Sequence, residues 1–555
     1  MKKWAWAVGL LLVAGRVQAQ DRPVEDEMFG GGGEATTATA TTTATATTTT
    51  TATTTTSASG SGTDARDSLN LGDPRAATRF SADVAPEDPL KMGGQFYWRA
   101  MSTGRQGTYP QNWSLSAPAL LDVYMDARPN ERVRAFALGR MSYDPTLAPN
   151  GSTTSTTSGV TGGSPQGSDS LSGLYGQATR GPSVALDQLW LRFDILRTVF
   201  VTAGKQHVRW GTARFWAPTD YLHLQPRNPL LPFDPRTGTT MLKLQLPWEE
   251  RGWNLYAYAL PESATTTSHP ADVAGAARAE IVLGAFEAGV GVFGQRSSKA
   301  KFAGDVSFGL WDLDFYGEAA LRNAGDVDFV SFQRAEFAPD ASGGSSYTTT
   351  NTNPPVTIDP LQWEDPTYKS QNLPLLVDAF YPVHRGSGWK PQVTVGVSYT
   401  RQYADKDTFT VGAEYFYNGL GYSDPAAYPG VLFLPHANPL ANPATFFYLG
   451  RHYLGIFATF PAPYSWDNTT FTLSNLANLS DQSGITRLDY SLIVLTHVRF
   501  EAYGAVHWGQ RNGEFRFGLD GSALGNSIPP VQSLAQQLTT PPALFDLGVG
   551  LRVAL

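Results

Sequence analysis

Apolar and polar residues alternate along most of the chain from residue 90 to its end. In 90–101 the even positions read Leu90, Met92, Gly94, Phe96, Trp98 and Ala100, and the odd positions include Lys91, Gln95, Tyr97 and Arg99. Side chains of a strand point alternately to its two faces, so a period of two makes one face greasy and the other polar. Segment 389–400 sets Trp389, Val393, Val395 and Val397 against Lys390, Gln392, Thr394 and Ser398. Segment 407–417 sets Phe409, Val411, Ala413, Tyr415 and Tyr417 against Thr408, Thr410 and Glu414, and 543–555 sets Phe545, Leu547, Val549, Leu551 and Val553 against Asp546 and Arg552.

About 18 such segments are predicted as strands. They lie near 90–101, 119–128, 132–142, 184–196, 198–210, 239–246, 253–260, 277–284, 287–296, 301–310, 313–322, 389–400, 407–417, 448–459, 468–478, 486–496, 498–508 and 543–555. Their connections mostly alternate in length, those between segments 9–10 and 15–16 being shorter than the other loops. Pro129-Asn130-Glu131, Arg197 and Trp311-Asp312 are short, whereas 143–183, 211–238, 323–388, 418–447 and 509–542 are long and rich in Ser, Thr, Gly, Asn and Pro. An even number of strands with short turns at one end and long loops at the other predicts an all-β fold: a transmembrane, antiparallel, up-and-down β-barrel over 86–555. Periplasmic turns and extracellular loops follow, with the last strand returning to pair the first. A soluble β-solenoid or multi-sandwich exoprotein is the competing reading; the segments cluster near the length that crosses a membrane at a tilt, about 9–11 residues, and no fixed-period repeat supports a solenoid.

Composition agrees with this. Of 555 residues, 16% are charged and 12% aromatic, there is no Cys, and the net charge is −8. Soluble domains average about 25% charged residues. The absence of Cys excludes disulfides, cysteine–zinc sites, Fe–S clusters and thiol nucleophiles. The acidic balance argues against a nucleic-acid partner. At the N-terminus, Lys2 and Lys3 precede an apolar stretch from Trp4 to Ala14, and Val17-Gln18-Ala19 approximates a cleavage site, so 1–19 reads as a secretory signal peptide. Residues 20–85 hold a Gly run at 30–33 and a tract of only Thr and Ala at 36–56, too poor in large apolar groups to fold. They are read as a disordered spacer.

Three stretches resemble the porin superfamily of Gram-negative outer membranes, in particular its large members of about 16–18 strands. Gly204-Lys205-Gln206-His207-Val208-Arg209-Trp210-Gly211 is similar to a strand end of such barrels, Glu414-Tyr415-Phe416-Tyr417-Asn418-Gly419 to a strand-to-loop transition, and 90–555 as a whole follows their hairpin order. The ending Arg552-Val553-Ala554-Leu555 departs from the terminal Phe or Trp common in that superfamily. The resemblance implies outer-membrane lipid as surroundings, the barrel-assembly machinery as a partner, and the option of a homo-oligomer.

A barrel of this size leaves a lumen, so passive diffusion of small hydrophilic solutes is the expected function. A conduit for export of a secreted polysaccharide and a surface scaffold or adhesion barrel are the alternatives. Loop 211–238 is the expected constriction, because Phe215, Trp216 and Tyr221 make it too apolar to wave in water. Folded inward, it would bring Arg214, Asp220, Arg227, Asp234 and Arg236 to the pore. Parity places Arg99, Asp122, Asp126, Arg132, Arg134, Arg140, Asp314, Glu318 and Arg322 on the pore wall. Segment 198–210 resists parity, which leaves a bulge near Gly204 or a strand end clear of the membrane. Trp98, Trp190, Trp210, Trp253, Trp389 and Trp508 stand near segment ends, as interfacial girdle residues or as rings inside the pore. The eight His are scattered without metal spacing, no nucleophile elbow is present, and no enzyme, metal or cofactor is expected.

Overall fold

The computed structural model describes residues 89–146, 182–262 (without 224, 225, 232 and 235), 270–340 (without 297), 345–403, 407–432 and 446–554 (without 519 and 526). The expected signal peptide at 1–19 and the tract at 20–85 lie outside the described residues, as does most of loop 143–183.

Eighteen long strands are formed: β1 (Leu90–Arg105), β2 (Ala119–Asn130), β3 (Val133–Tyr143), β4 (Ser183–Ile195), β5 (Val199–Gln206), β6 (Thr239–Trp248), β7 (Trp253–Leu260), β8 (Ala274–Leu283), β9 (Phe286–Gln295), β10 (Ser298–Leu310), β11 (Leu313–Asn323), β12 (Trp389–Gln402), β13 (Thr408–Asn418), β14 (His452–Pro461), β15 (Thr469–Asn478), β16 (Ser483–Leu495), β17 (Val498–Gly509) and β18 (Ala543–Ala554). Each pairs antiparallel with its successor. The ring closes where β18 pairs β1, with Trp98 opposite Leu551 and Thr103 opposite Asp546. The fold is therefore a closed, antiparallel, up-and-down barrel. Every segment read from the alternation overlaps one of these strands. All connections at one end are short, and the long ones all lie at the other end, which also carries the short connections after β9 and β15. The tightest turns hold residues in the left-handed region that two-residue hairpins require, among them Trp311 at φ 57°.

The two faces have opposite chemistry. Outside stand Val184, Leu189, Val290, Val395, Leu547 and Val549, all with a large part of their surface exposed. Inside stand Arg99, Thr394, Glu414 and Arg487, all buried. A cylinder greasy outside and polar within, with no unpaired edge, is the only sheet that lipid tolerates, since hydrocarbon offers backbone groups no partner. The barrel is of the outer-membrane type, and that membrane is its location. Trp248 and Trp253 meet edge-to-face at 5.9 Å at the short-turn end, and Trp389 and Trp508 face outward at the loop end. Trp190 and Trp210 instead turn inward. Trp190 stacks on Phe136 at 5.5 Å.

Two irregularities matter for the interior. The pairing of β5 runs unbroken on both sides through Gly204, so β5 carries no bulge there. The strand stops at Gln206, and Lys205 stays on the outer face, 3.7 Å from Glu262. The bulge sits instead on β4. Leu138 faces Gln188 and Gly139 faces Leu186, so Asp187 is the extra residue. Asp187 and Gln188 are consequently both buried on the inner side, while Leu186 and Leu189 face out.

At the loop end, the connections after β11, β13 and β17 build a cap with its own apolar core. Helix α1 (Pro366–Phe380) contributes Leu376, Val377 and Phe380, α2 (Tyr428–Leu432) contributes Tyr428, and α3 (Pro529–Leu538) contributes Val531 and Leu534. Asp365 caps α1 by accepting from Thr367 N–H at 2.8 Å, with Pro366 at the first helical position.

Val549 lies in the middle of β18 with 44% of its surface exposed to the outside. Val549→Arg is expected to destabilise the lipid-embedded barrel by about 2–4 kcal/mol, read as a lowered denaturant midpoint for unfolding from vesicles.

Candidate functional site: the barrel lumen

The chain leaves the wall after β5 and runs inside the barrel until β6 begins at Thr239. Val208 and Trp210 pack against Met241, Tyr258 and Ala274 of β6–β8. Gly211 then passes Glu318 of β11 so closely that a Cβ would lie 2.2 Å from its carboxylate, at a φ of +95°. Glu318 accepts from Ala213 N–H at 2.6 Å and from Thr219 Oγ1 at 2.7 Å. Glu414 of β13 accepts from the N–H groups of Arg214 at 2.8 Å, Phe215 at 3.1 Å and Trp216 at 2.8 Å. It also accepts from Tyr316 OH at 3.1 Å. Thr394 of β12 donates to Trp216 O at 2.9 Å. Phe215 reaches Phe457 of β14, nine strands from β5 in a ring of eighteen, which is the far wall. The loop crosses the lumen completely.

The physics of this crossing is plain. A loop that enters a low-dielectric interior takes its backbone N–H groups out of water, and each must find an acceptor. Two wall carboxylates provide them. The apolar side chains then pack laterally. Trp216 stacks on Phe416 at 5.8 Å and donates from Nε1 to Phe447 O at 2.9 Å. The Arg214 guanidinium lies 3.5 Å above the Phe457 ring centre. Tyr221 donates to Phe302 O at 3.0 Å beneath the guanidinium of Arg322, which itself donates to Pro218 O at 3.4 Å.

The loop's second half returns along the other side. Leu231 and Phe233 pack on Leu120 and Tyr97, with the Phe233 and Tyr97 rings edge-to-face at 4.9 Å. Arg236 bridges Asp234 and Asp220 at 3.0 Å each, and His223 holds Asp220 at 2.9 Å. Arg227 offers its carbonyl to Tyr448 OH at 3.2 Å.

The wall residues singled out by parity divide as follows. Arg99 pairs with Glu501 at 3.4 Å, Arg134 with Asp126 at 2.8 Å, and Arg140 with both Asp122 at 2.9 Å and Asp187 at 2.6 Å. Glu318 and Arg322 hold the loop. Asp314 lies half-buried nearer the short-turn end. Arg132 differs: it lies in the turn before β3, half-exposed at the barrel's short-turn rim, and grips Asp194 near the end of β4 at 2.9 Å. Parity fails there because the strand begins one residue later. The interior also holds residues not singled out from sequence: Asp187, Gln188, Arg192, Lys243, Glu414 and Glu501. Glu414 was visible in the polar phase of its segment. Asp187 and Gln188 were hidden by the bulge, which puts two successive residues on one face.

Above the loop, a buried acidic pair ties the cap to the barrel rim. Asn478 Nδ2 donates to both Asp481 Oδ2 and Glu514 Oε2 at 2.9 Å. Tyr453 OH donates to Glu514 at 2.6 Å, and Glu514 N–H donates to Asp481 at 2.7 Å. Burial, followed by the nearby Asp481 charge, pushes the Glu514 carboxyl up to about 8, and burial also raises Asp481.

A scan against protein-family models finds no match for this sequence, and a search of curated proteins finds none either. Among solved structures, the chain is similar to a Rhodopseudomonas blastica porin at 9% identity and a TM-score of 0.35, covering 84% of this chain and 100% of that one. It is also similar to Acinetobacter baumannii OccAB1 at 11% identity and a TM-score of 0.42, covering 84% and 97%. The fold assignment rests on the strand ladder itself.

Two outcomes are expected. Glu414→Leu leaves three buried N–H groups without an acceptor, at about 1–3 kcal/mol each, and should lower the unfolding midpoint clearly, whereas Arg132→Ala should not. Glu514 is raised, so its neutral form stabilises the closed cap. That contribution is full below the ordinary carboxylate range, declines as pH climbs, and is gone above about 8. Proteolysis of the 419–451 loop should therefore quicken from pH 5 to pH 8 and level off, and Glu514→Gln should flatten the curve.

Proposed function

We propose that the protein is an outer-membrane channel for passive diffusion of small hydrophilic solutes, with loop 207–238 as its constriction. The observation that carries this reading is the loop's course across the lumen, fixed to the far wall by Glu318 and Glu414. A sheet of eighteen strands encloses more space than its own side chains fill. The loop narrows that space, and the ionic groups along it and along β1–β4 offer water-like contacts to a polar solute. Phe215, Trp216, Tyr221, Leu230 and Phe233 are the packing that holds the narrowing in place. Arg214, Asp220, Arg227, Asp234 and Arg236 are the charged groups of that loop, and Arg99, Asp122, Asp126, Arg134, Arg140 and Asp314 those of the wall.

The test is single-channel recording of refolded protein in planar bilayers. Wild type is expected to show stable steps, and deletion of 215–234 to enlarge them. A barrel that inserts and never conducts would end the channel reading. Unchanged conductance after the deletion would remove the loop from the constriction.

A further inference from the structure

Three connections at the loop end of the barrel meet at Glu514, which lies just after β17 and is buried. Its Oε1 accepts from Leu449 N–H, in the connection before β14, at 3.3 Å. Its Oε2 accepts from Tyr453 OH of β14 and Asn478 Nδ2 of β15. Asp481, buried in the turn between β15 and β16, takes the N–H of Ser483 at 2.9 Å and its hydroxyl at 2.6 Å, besides the Glu514 N–H. Tyr428 of α2 reaches the same point, its OH accepting from Asn478 Nδ2 at 3.3 Å. His507 of β17 stands on the other side, between the Phe515 carbonyl and Asp546. The titratable groups around Glu514 are thus Asp481, Tyr428, Tyr453 and His507. Arg451, the cation nearest to Leu449 along the chain, turns aside and donates to Gly421 O at 3.0 Å. Among the described residues, no Lys or Arg pairs with Glu514 or Asp481.

Residues beside this junction touch the crossing loop. Phe447 O accepts from Trp216 Nε1, and Tyr448 OH donates to Arg227 O. The Trp216 and Tyr453 rings lie 5.4 Å apart. Phe447 and Phe515 pack at 5.6 Å, in one apolar cluster with Phe215, Trp216 and Leu230. The loop is therefore fastened twice, to the wall by Glu318 and Glu414 and to the cap by the segments that Glu514 gathers.

Glu514 and Asp481 share the Asn478 amide without a cation between them. Two ionised carboxylates so placed repel through surroundings that screen poorly. The junction is therefore strongest while Glu514 carries a proton. Its carboxyl, pushed up to about 8 by burial and then by Asp481, favours the joined arrangement below the ordinary carboxylate range. That preference fades as pH rises and is gone above about 8.

We propose that Glu514 is the trigger of a proton-operated latch on the crossing loop: protonated, it joins cap, rim and loop into one body, and ionised, it frees the cap side of the loop and widens the passage. The latch rests on this geometry alone, whereas its effect on solute flow rests on the channel reading.

The chain has no Cys, so a single introduced thiol reports on the latch without any current. Ala505 of β17 is buried in the cluster that holds Trp216 and Phe515. In the full chain refolded in detergent, Ala505→Cys should react with a maleimide slowly at pH 5 and faster at about pH 9. Dividing by the rates in a Glu514→Gln background removes the thiol's own ionisation. The ratio should climb about tenfold or more across that range. Asp481→Asn removes the neighbouring like charge and should move the midpoint of the climb to lower pH, a comparison with wild type that stands even if Glu514→Gln does not fold. Single-channel conductance should rise with pH in wild type and stay constant in Glu514→Gln. A flat ratio, a midpoint that Asp481→Asn leaves in place, or a conductance indifferent to pH would overturn the proposal. A climbing ratio with no current at any pH would end the channel reading and keep the latch, and steady current with a flat ratio would do the reverse.

Discussion

A backbone amide in hydrocarbon has no water to fall back on, and this governs the whole molecule. Every strand must give its N–H and C=O groups to a neighbour, so the sheet can have no first or last member. The pairing of β18 with β1 meets that demand. Once the ring is closed, the side chains are sorted by the pleat alone: Val549 and Leu547 to lipid, Asp546 and Arg552 to the interior. The alternation along the sequence is the direct imprint of this sorting.

The same demand shapes the interior. A loop inside the barrel is as cut off from solvent as a strand in lipid, yet it has no sheet partner. Glu318 and Glu414 act as substitute acceptors, each gathering several donors from the crossing segment. Pairs such as Arg140 with Asp122 and Asp187 do the equivalent for charge. Buried ion pairs of this kind add little net stability but are strongly destabilising when one member is removed. The interior therefore tolerates exchange of whole pairs better than loss of single charges.

The sequence carried the barrel almost entirely, because each strand announces itself by a period of two over about ten residues. It carried the inward face of β1–β3 and β11 for the same reason. Arg132 was misplaced by one position at a turn, where parity has no meaning. Asp187 and Gln188 escaped because a bulge costs one residue of phase, and nothing in Val184-Ala185-Leu186-Asp187-Gln188-Leu189 marks which residue is extra. The helices of the cap lie in connections that the alternation marks only as loop. The three- and four-residue spacing of Leu373, Leu376, Val377 and Phe380 is helical, but Pro374 within it masks the pattern. The partners of Glu318 and Glu414 were out of reach, since they lie about a hundred and two hundred residues away in the chain.

The seam between β1 and β18 also sets a schedule. Phe96 meets Val553, so the joint that removes the last raw edge links residues more than four hundred positions apart and waits for the final strand to be synthesised. Until then the growing sheet carries two sticky borders, and loop-closure entropy opposes their meeting. Assembly is thus slow where it matters most, and the unfinished polypeptide depends on being kept from its own kind until its tail arrives.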